Sequence, residues 1–394
     1  MFLAANSASP AVTASASHGF DLEPPAAPWL GPEKGCYAGV PLCLAFAAPE
    51  TGAQPVLGVP AVARALREAM LAGWTRCTVA VPGGWQPSGA VAAEIARIAP
   101  GLTPTYTAAV PQRADLLVVQ GEELASRRAL QRGAAAGIVP PAAASPGQAR
   151  ALLAAAARRL QVGTAKSGDG IVARHLNRPI SQACSRAVLR WFGPIDPNLA
   201  TLGTALIGVT MLVCLLLFPG HNGLLLGALL FQCASIFDGV DGEIARATFR
   251  ATPFGGTLDS LVDAGINVAF FAGVIVNLVA QGQAATAGIA LLALGGLVCG
   301  TSLLGWSARR SRSGIDFNAV KRIVAVDKSP LMQVLTWLTM RDFYALAAAM
   351  LIGFGYVTAA VWAFAIVVGG WLAVVLPALA LRGRVAGYSS VVSP

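Results

Sequence analysis

The chain has 394 residues, of which 55% are hydrophobic and 12% charged, and it carries a net charge of +9. Soluble proteins carry about 25% charged residues, so this composition argues against a wholly soluble protein and for one built into a membrane. The basic excess does not mark a nucleic-acid binder: the arginines sit beside apolar spans, where basic loops orient membrane proteins, and no RNP, zinc or helix-turn-helix pattern accompanies them.

Length suggests about two or three domains. Residues 1–35 are rich in Ala, Ser, Pro and Gly and are expected to be disordered. Met1 to His18 lack a basic start and an apolar core, so no signal peptide is expected. From Tyr37 the texture becomes α/β. Pro41–Ala48, Arg76–Pro82 and Ala114–Gln120 read as short buried strands, and Val59–Ala72 and Ala90–Ile98 have apolar residues at helical spacing. Strands alternating with helices predict a mainly parallel sheet with helical cover. The Ala-rich stretch 134–163 reads as a linker followed by a helix. The seven cysteines form no Cys-x-x-Cys pair; Cys214, Cys233 and Cys299 fall in apolar spans and read as free, buried small hydrophobes that suit a reducing cytosol. His18, His175 and His221 form no ligand cluster.

Ile171 to Phe192 mixes Arg and Trp with Ile171, Leu176, Ile180, Val188 and Leu189, which predicts an amphipathic helix lying in the membrane interface. Six apolar stretches follow, at about 199–218, 222–240, 258–281, 284–305, 342–360 and 361–381. Each is near the roughly 20 residues that cross a bilayer core. Loop charge alternates with this count. Arg174, Arg178, Arg186 and Arg190 precede the first span, Arg246 and Arg250 lie between the second and third, and Arg309, Arg310, Arg312, Lys321, Arg322, Lys328 and Arg341 lie between the fourth and fifth. Arg382 and Arg384 follow the sixth, whereas the alternate loops at 219–223, 281–283 and near Gly355 contain no Lys or Arg. The positive-inside rule places both termini in the cytoplasm, with the protein in the cytoplasmic membrane.

The window 238–263 carries the chemistry. Asp238 and Asp241 are three apart, with Gly242 next and Ala245 one turn on, so the four share a helix face. Asp259 and Asp263 are four apart and share a face of the following helix. Pro253, Gly255 and Gly256 suit a turn between them at the cytoplasmic mouth. An aspartate at the centre of a membrane helix costs roughly 2.5–3.5 kcal/mol on insertion scales, and clustered carboxylates repel. Divalent cations relieve both penalties, and carboxylate oxygens favour Mg²⁺ or Mn²⁺. Two such ions can clamp a pyrophosphate, while Gly242 and Ala245 leave room for a nucleotide to approach the backbone.

The spacing D-x2-D-G-x2-A-R-x8-G-x3-D-x3-D, filled by Asp238, Asp241, Gly242, Ala245, Arg246, Gly255, Asp259 and Asp263, resembles the signature of the CDP-alcohol phosphotransferase family. DGIVARHLNRPIS at 169–181 and DPNLATL at 196–202, with Asn198 and Thr201 in a Pro-Asn-x-x-Thr pattern, look like that family's juxtamembrane helix and first-span entry. The flavour is closest to the branch of di-inositol-phosphate-phosphate synthases that carry a cytoplasmic nucleotidyltransferase domain. The resemblance implies an α-helical integral membrane domain over 165–384, with six transmembrane helices plus an interfacial amphipathic helix, behind an N-terminal cytoplasmic α/β domain over 36–163 and before a tail at 385–394. It implies transfer of a substituted phosphate from a CDP-linked donor, CDP-diacylglycerol or a CDP-polyol, to an alcohol acceptor with release of CMP, in phospholipid or polyol-phosphate synthesis. It implies two Mg²⁺ or Mn²⁺ ions on Asp238, Asp241, Asp259 and Asp263, Asp263 as the base, and nucleotide contacts from Asp238, Asp241, Gly242, Ala245 and Gly255. Acceptor or phosphate contacts are expected from Arg246, Arg250, Lys166, Arg174, Arg178 and Asn198. Membrane lipids and a second copy in a homodimer are the expected partners. Glu243, off the Asp238/Asp241 face, is expected to meet solvent or an arginine. The alternative reading of the aspartates is a cation-coupled transporter.

QPVLGVPAVARALREAMLAGWTRCTVAVP at 54–82 and LVVQGEE at 117–123 resemble a sugar-phosphate nucleotidyltransferase. AFAAPETGAQPVLG stands where that family has a Gly-rich, Arg-containing loop, and Glu122 stands where it has a metal-binding Asp. Without backbone amides and a basic residue to hold a triphosphate, a degenerate domain serving dimerisation or regulation is predicted.

Overall fold

The computed structural model describes residues 40–136, 145–166, 168–310, 337–338 and 340–389. The N-terminal stretch 1–35, part of the Ala-rich linker, and the basic loop holding Arg312, Lys321, Arg322 and Lys328 lie outside the described residues.

The N-terminal domain begins with β1 (Leu42–Ala45), a short α1 (Pro49–Ala53) and a hairpin of β2 (Pro55–Val56) and β3 (Val59–Pro60). It continues through α2 (Ala61–Leu71), β4 (Arg76–Ala80), α3 (Gly89–Ile98), β5 (Thr103–Thr107), β6 (Leu117–Gln120), α4 (Arg127–Ala136) and α5 (Pro146–Val162). The sheet order is β5-β4-β1-β6 and every pair in it is parallel. Leu44 pairs with Val79 on one side and Val119 on the other. Leu42, Leu44 and Val79 bury against Val62 and Leu66 of α2, as parallel strands covered by helices require. The three expected strands are present. β5, whose Thr-Pro-Thr-Tyr-Thr carries no apolar run, was not legible by periodicity and is held in place by its register with β4.

A π-helical turn, Ala173–Asn177, runs into α6 (Arg178–Trp191) where the amphipathic helix is expected. Ile171, Leu176 and Ile180 stay exposed on it. Next come α7 (Pro197–Leu217), α8 (His221–Thr248), α9 (Pro253–Ala280) and α10 (Ala284–Arg310). Among the described residues four helices are long and apolar enough to cross a membrane, over Pro197–Leu217, His221–Thr248, Pro253–Ala280 and Ala284–Leu303. The fifth and sixth apolar stretches form α11 (Arg341–Gly353) and α12 (Val357–Ser389), with the break at 354–356, at the expected turn near Gly355. Thirteen residues of α11 rise only about 20 Å.

The bundle packs around aromatic rings. Phe231 of α8 stacks on Phe270 of α9 with centroids 4.2 Å apart, and Phe271 meets Phe364 of α12 at 3.6 Å. Small residues let backbones approach, as membrane packing favours: a Cβ added at Gly208 would lie 2.6 Å from Ile266, and one at Gly227 2.4 Å from Leu215. Leu199, Leu202, Leu206, Val209, Val213 and Leu216 form an exposed apolar stripe along α7, the surface a lipid-facing helix presents. Cys233 and Cys299, expected to be buried, lie on the outside of the bundle. Helical period, not hydrophobicity, decides which face an apolar residue takes.

Candidate active site

α8 ends at Phe249, which takes a left-handed conformation with φ 56°. Thr252 then caps α9 by accepting the Gly255 amide, with Pro253 in the first turn. The reversal between these helices is therefore short and tight, and it brings the last three turns of α8 beside the first three of α9. Asp238 and Asp241 project from the former and Asp259 and Asp263 from the latter.

Asp241 is buried, and its carboxylate accepts the Thr201 hydroxyl of α7 at 2.6 Å and the Gly242 amide. Asp238, Asp241 and Asp259 lie near enough for each to feel the others' charge, with the charge of Lys166 acting on the same group. Asp263 joins through Arg341, the first residue of α11. Its guanidinium pairs with Asp238 at 3.1 Å and with Asp263. Tyr344, one turn along α11, donates to Asn267 at 2.8 Å, and Asn267 donates to the Asp263 carbonyl at 2.9 Å. Arg341, expected as an orientation charge in a loop, thus stands inside the acidic cluster. No spacing rule links it to Asp238, some hundred residues earlier; only its adjacency to an apolar helix start signalled it.

The other expected residues divide. Asn198 follows the Asp196 cap of α7, and its amide oxygen would lie 3.2 Å from a Cβ at Gly255, so it braces the start of α9. Arg246 donates to the Thr164 carbonyl at 2.7 Å, and a Cβ at Gly242 would fall 2.9 Å from its guanidinium. The clearance expected to serve a nucleotide at Gly242 is taken up here by Arg246, whose Nη2 is buried and has no protein partner. Ala245 is half-buried on the same face. Arg178 is turned away from the acids, pairing with Asp169 at 2.6 Å and Glu243 at 3.0 Å. Burial opposes its charge, yet the two carboxylates hold its pKa above the ordinary arginine range. Glu243 also accepts from Ser181 and Ser185, both at 2.7 Å, so its partner is an arginine and not solvent. Arg250 reaches the Pro194 carbonyl and lies 3.9 Å from Glu94 of α3. Arg174 lies on the π-helical turn.

Among the described residues no group of three or more acidic, imidazole or thiol side chains is placed to hold a metal ion. The donor set still fits a hard divalent cation. Carboxylates from two helices share a positive charge, here that of Arg341, and hard cations take such oxygens.

Fold and site together define a membrane domain with an acid cluster at the mouth of its second and third spans. Residues 195–371 match the model of the CDP-alcohol phosphatidyltransferase family. Relatives named "Bifunctional IPC transferase and DIPP synthase" match within the same branch. The protein from Thermococcus kodakarensis is 35% identical over 177 residues, covering 44% of this chain and 38% of the relative. That from Aquifex aeolicus is 37% identical over 111 residues, 28% of this chain and 24% of the relative. That from Archaeoglobus fulgidus is 36% identical over 133 residues, 34% and 24% of the two chains. The matched stretches thus span well under half the length of these relatives.

Proposed function

We propose that the protein is an integral-membrane enzyme that transfers a substituted phosphate from a CDP-linked donor to an alcohol and releases CMP. The observation that carries this reading is the convergence of Asp238, Asp241 and Asp259, with Asp263 tied in through Arg341, within the segment matching the family. Asp238, Asp241, Asp259 and Asp263 would hold Mg²⁺ or Mn²⁺. A bound divalent ion supplies Lewis-acid stabilisation of pyrophosphate oxygens.

This chain's own residues do the rest. Thr201 fixes the Asp241 carboxylate toward the cluster, and Gly242 leaves the space that the Arg246 guanidinium occupies beside it. Arg246 presents an unpartnered N–H pair on that face, where a phosphate oxygen of the donor would accept. Asp263 takes the acceptor's hydroxyl proton as the acceptor oxygen attacks the β-phosphorus and the CMP oxygen leaves. Arg341 must give up Asp263 for this, which frees the carboxylate as a base.

The names of the relatives, together with the lipid-facing bundle, favour a donor or acceptor from phospholipid or polyol-phosphate synthesis. Six spans, an interfacial seating of α6, both termini on the cytoplasmic side and a homodimer belong to the same reading. The acids lie in the halves of α8 and α9 next to their connecting turn, which suits access from one side better than a midplane transport site.

CMP release from CDP-diacylglycerol and from CDP-polyols, measured with purified protein and Mn²⁺, tests the reading. A general base contributes about 10²–10⁴-fold, so Asp263→Asn should lose at least a hundredfold. Absence of CMP release with every donor, or an Asp263→Asn protein as active as its parent, would end it.

A further inference from the structure

The N-terminal domain is built on an open parallel sheet, and ligands of such sheets sit at the carboxyl ends of the strands where the order reverses. Here that point lies between β1 and β6. It is filled from within. Glu122, fully buried, accepts the Ala47 amide at 2.7 Å and the Thr51 hydroxyl at 2.6 Å, so the two strand ends are stitched together. Phe46 covers Gly121 so closely that a Cβ there would lie 2.4 Å from its ring.

The opposite feature is found where this domain meets α8. A helix leaves its last carbonyls without intrahelical partners and its C-terminus partly negative. Arg64 of α2 donates to the Ala247 carbonyl. Arg97 of α3 donates to the Thr248 carbonyl at 2.7 Å and the Phe249 carbonyl at 3.1 Å. Arg67 lies over the Phe249 ring, 3.9 Å from its centroid, with Arg64 behind at 5.1 Å. Glu94 grips Arg97 at 2.6 and 2.8 Å. Arg64 also holds the Val56 and Leu57 carbonyls, so one guanidinium joins the β2–β3 hairpin to the helix end. At the hairpin tip Gly58 has φ +79°, and a Cβ there would meet Leu189 at 3.0 Å and Thr248 at 3.4 Å. Arg64 is only 4% exposed. Burial pushes its pKa down to about 10, which leaves it charged at neutral pH.

We infer that the N-terminal domain is a clamp on the last turn of α8, and that Arg64 and Arg97 are positioning residues for Asp238 and Asp241. The inference rests on the phosphotransfer reading for its kinetic arm only. Ala247 and Asp241 are six residues apart on one helix, about 9 Å. Fraying that spreads two turns from the end of α8 therefore reaches Asp241.

The test uses the full chain in detergent or nanodiscs, with Arg64→Ala, Arg97→Ala, their combination, the two Arg→Lys variants, and Arg113→Ala as a control on an exposed pair of the same domain. Backbone hydrogen exchange over 238–248 and the kcat and KM for CMP release are measured. Because misplacement of about 1 Å can cost about a hundredfold, the double variant should lose at least tenfold in kcat with a smaller change in donor KM. Exchange at 238–248 should rise at least tenfold, since helix ends open locally. Lysine should restore part of both losses, and Arg113→Ala should change neither. Faster exchange confined to 246–250 with unchanged kcat and KM overturns the inference, as does no change in either. If the wild-type chain releases no CMP, the phosphotransfer reading fails and exchange at 238–241 alone decides the clamp. If the double variant does not fold, the Arg→Lys proteins decide by the same criteria.

Discussion

Asp241 shows how one residue can be over-determined. It is buried on a membrane helix, where an unpaired carboxylate is costly, and two donors, Thr201 and the Gly242 amide, aim it. A hydrogen bond to a charged group is worth about 1.5–3 kcal/mol. Thr201→Val keeps the shape and removes the donor, so kcat/KM for CMP release should fall by at least about tenfold while the protein remains folded. An unchanged kcat/KM would show that Asp241 needs no help from α7. The aspartates were legible because their spacing within single helices is a local property, whereas Thr201 stood out only through its Pro-Asn-x-x-Thr resemblance. Arg341 was not, since its partners Asp238 and Asp263 are distant in sequence and no periodicity ties them.

At the level of elements, α7, α8 and α9 form the frame that keeps the acids together, and glycine makes the frame possible. Gly208 lets Ile266 of α9 lie against α7. Gly208→Val would force the two helices apart, and overpacking costs about 1–3 kcal/mol. A lowered thermal midpoint in nanodiscs and reduced Mn²⁺-dependent CMP release are expected together; a midpoint at the wild-type value would show that α7 and α9 are not in close contact there. The end of α9 falls near its expected bound at 281, but Pro253, Gly255 and Gly256, expected in the turn, form the first turn of the helix, because Thr252 caps it and proline suits that position. β5 and the β2–β3 hairpin were missed for the reverse reason. Neither has an apolar pattern, and each exists because tertiary pairing supplies what local sequence lacks.

For the whole molecule, the alternation of charged and uncharged loops predicts sidedness. Single cysteines placed at Gly220 and Gln283, on the uncharged side, should react with an impermeant maleimide from outside intact cells. Cysteines at Thr252 and Lys166 should react only after the membrane is opened. Labelling of Thr252 from outside would put the acids on the wrong face for a cytoplasmic nucleotide. The N-terminal domain is joined to the membrane bundle by arginines meeting helix-end carbonyls. Backbone carbonyls have no residue identity, so no motif advertises such a junction.

By itself the sequence determined the membrane character, the alternation of strands and helices in the first half, and the acid motif of the second. Each of these is written in composition or in spacing along one element, where the helical and strand periods translate position into direction. Only the tertiary structure decided that Arg341 enters the acid cluster, that Arg178 serves Glu243, that Glu122 seals the strand ends, and that the first domain grips the helix bearing Asp238 and Asp241. Those contacts join residues tens to hundreds of positions apart, and their energy exists only once packing has excluded water and brought the partners within hydrogen-bonding reach.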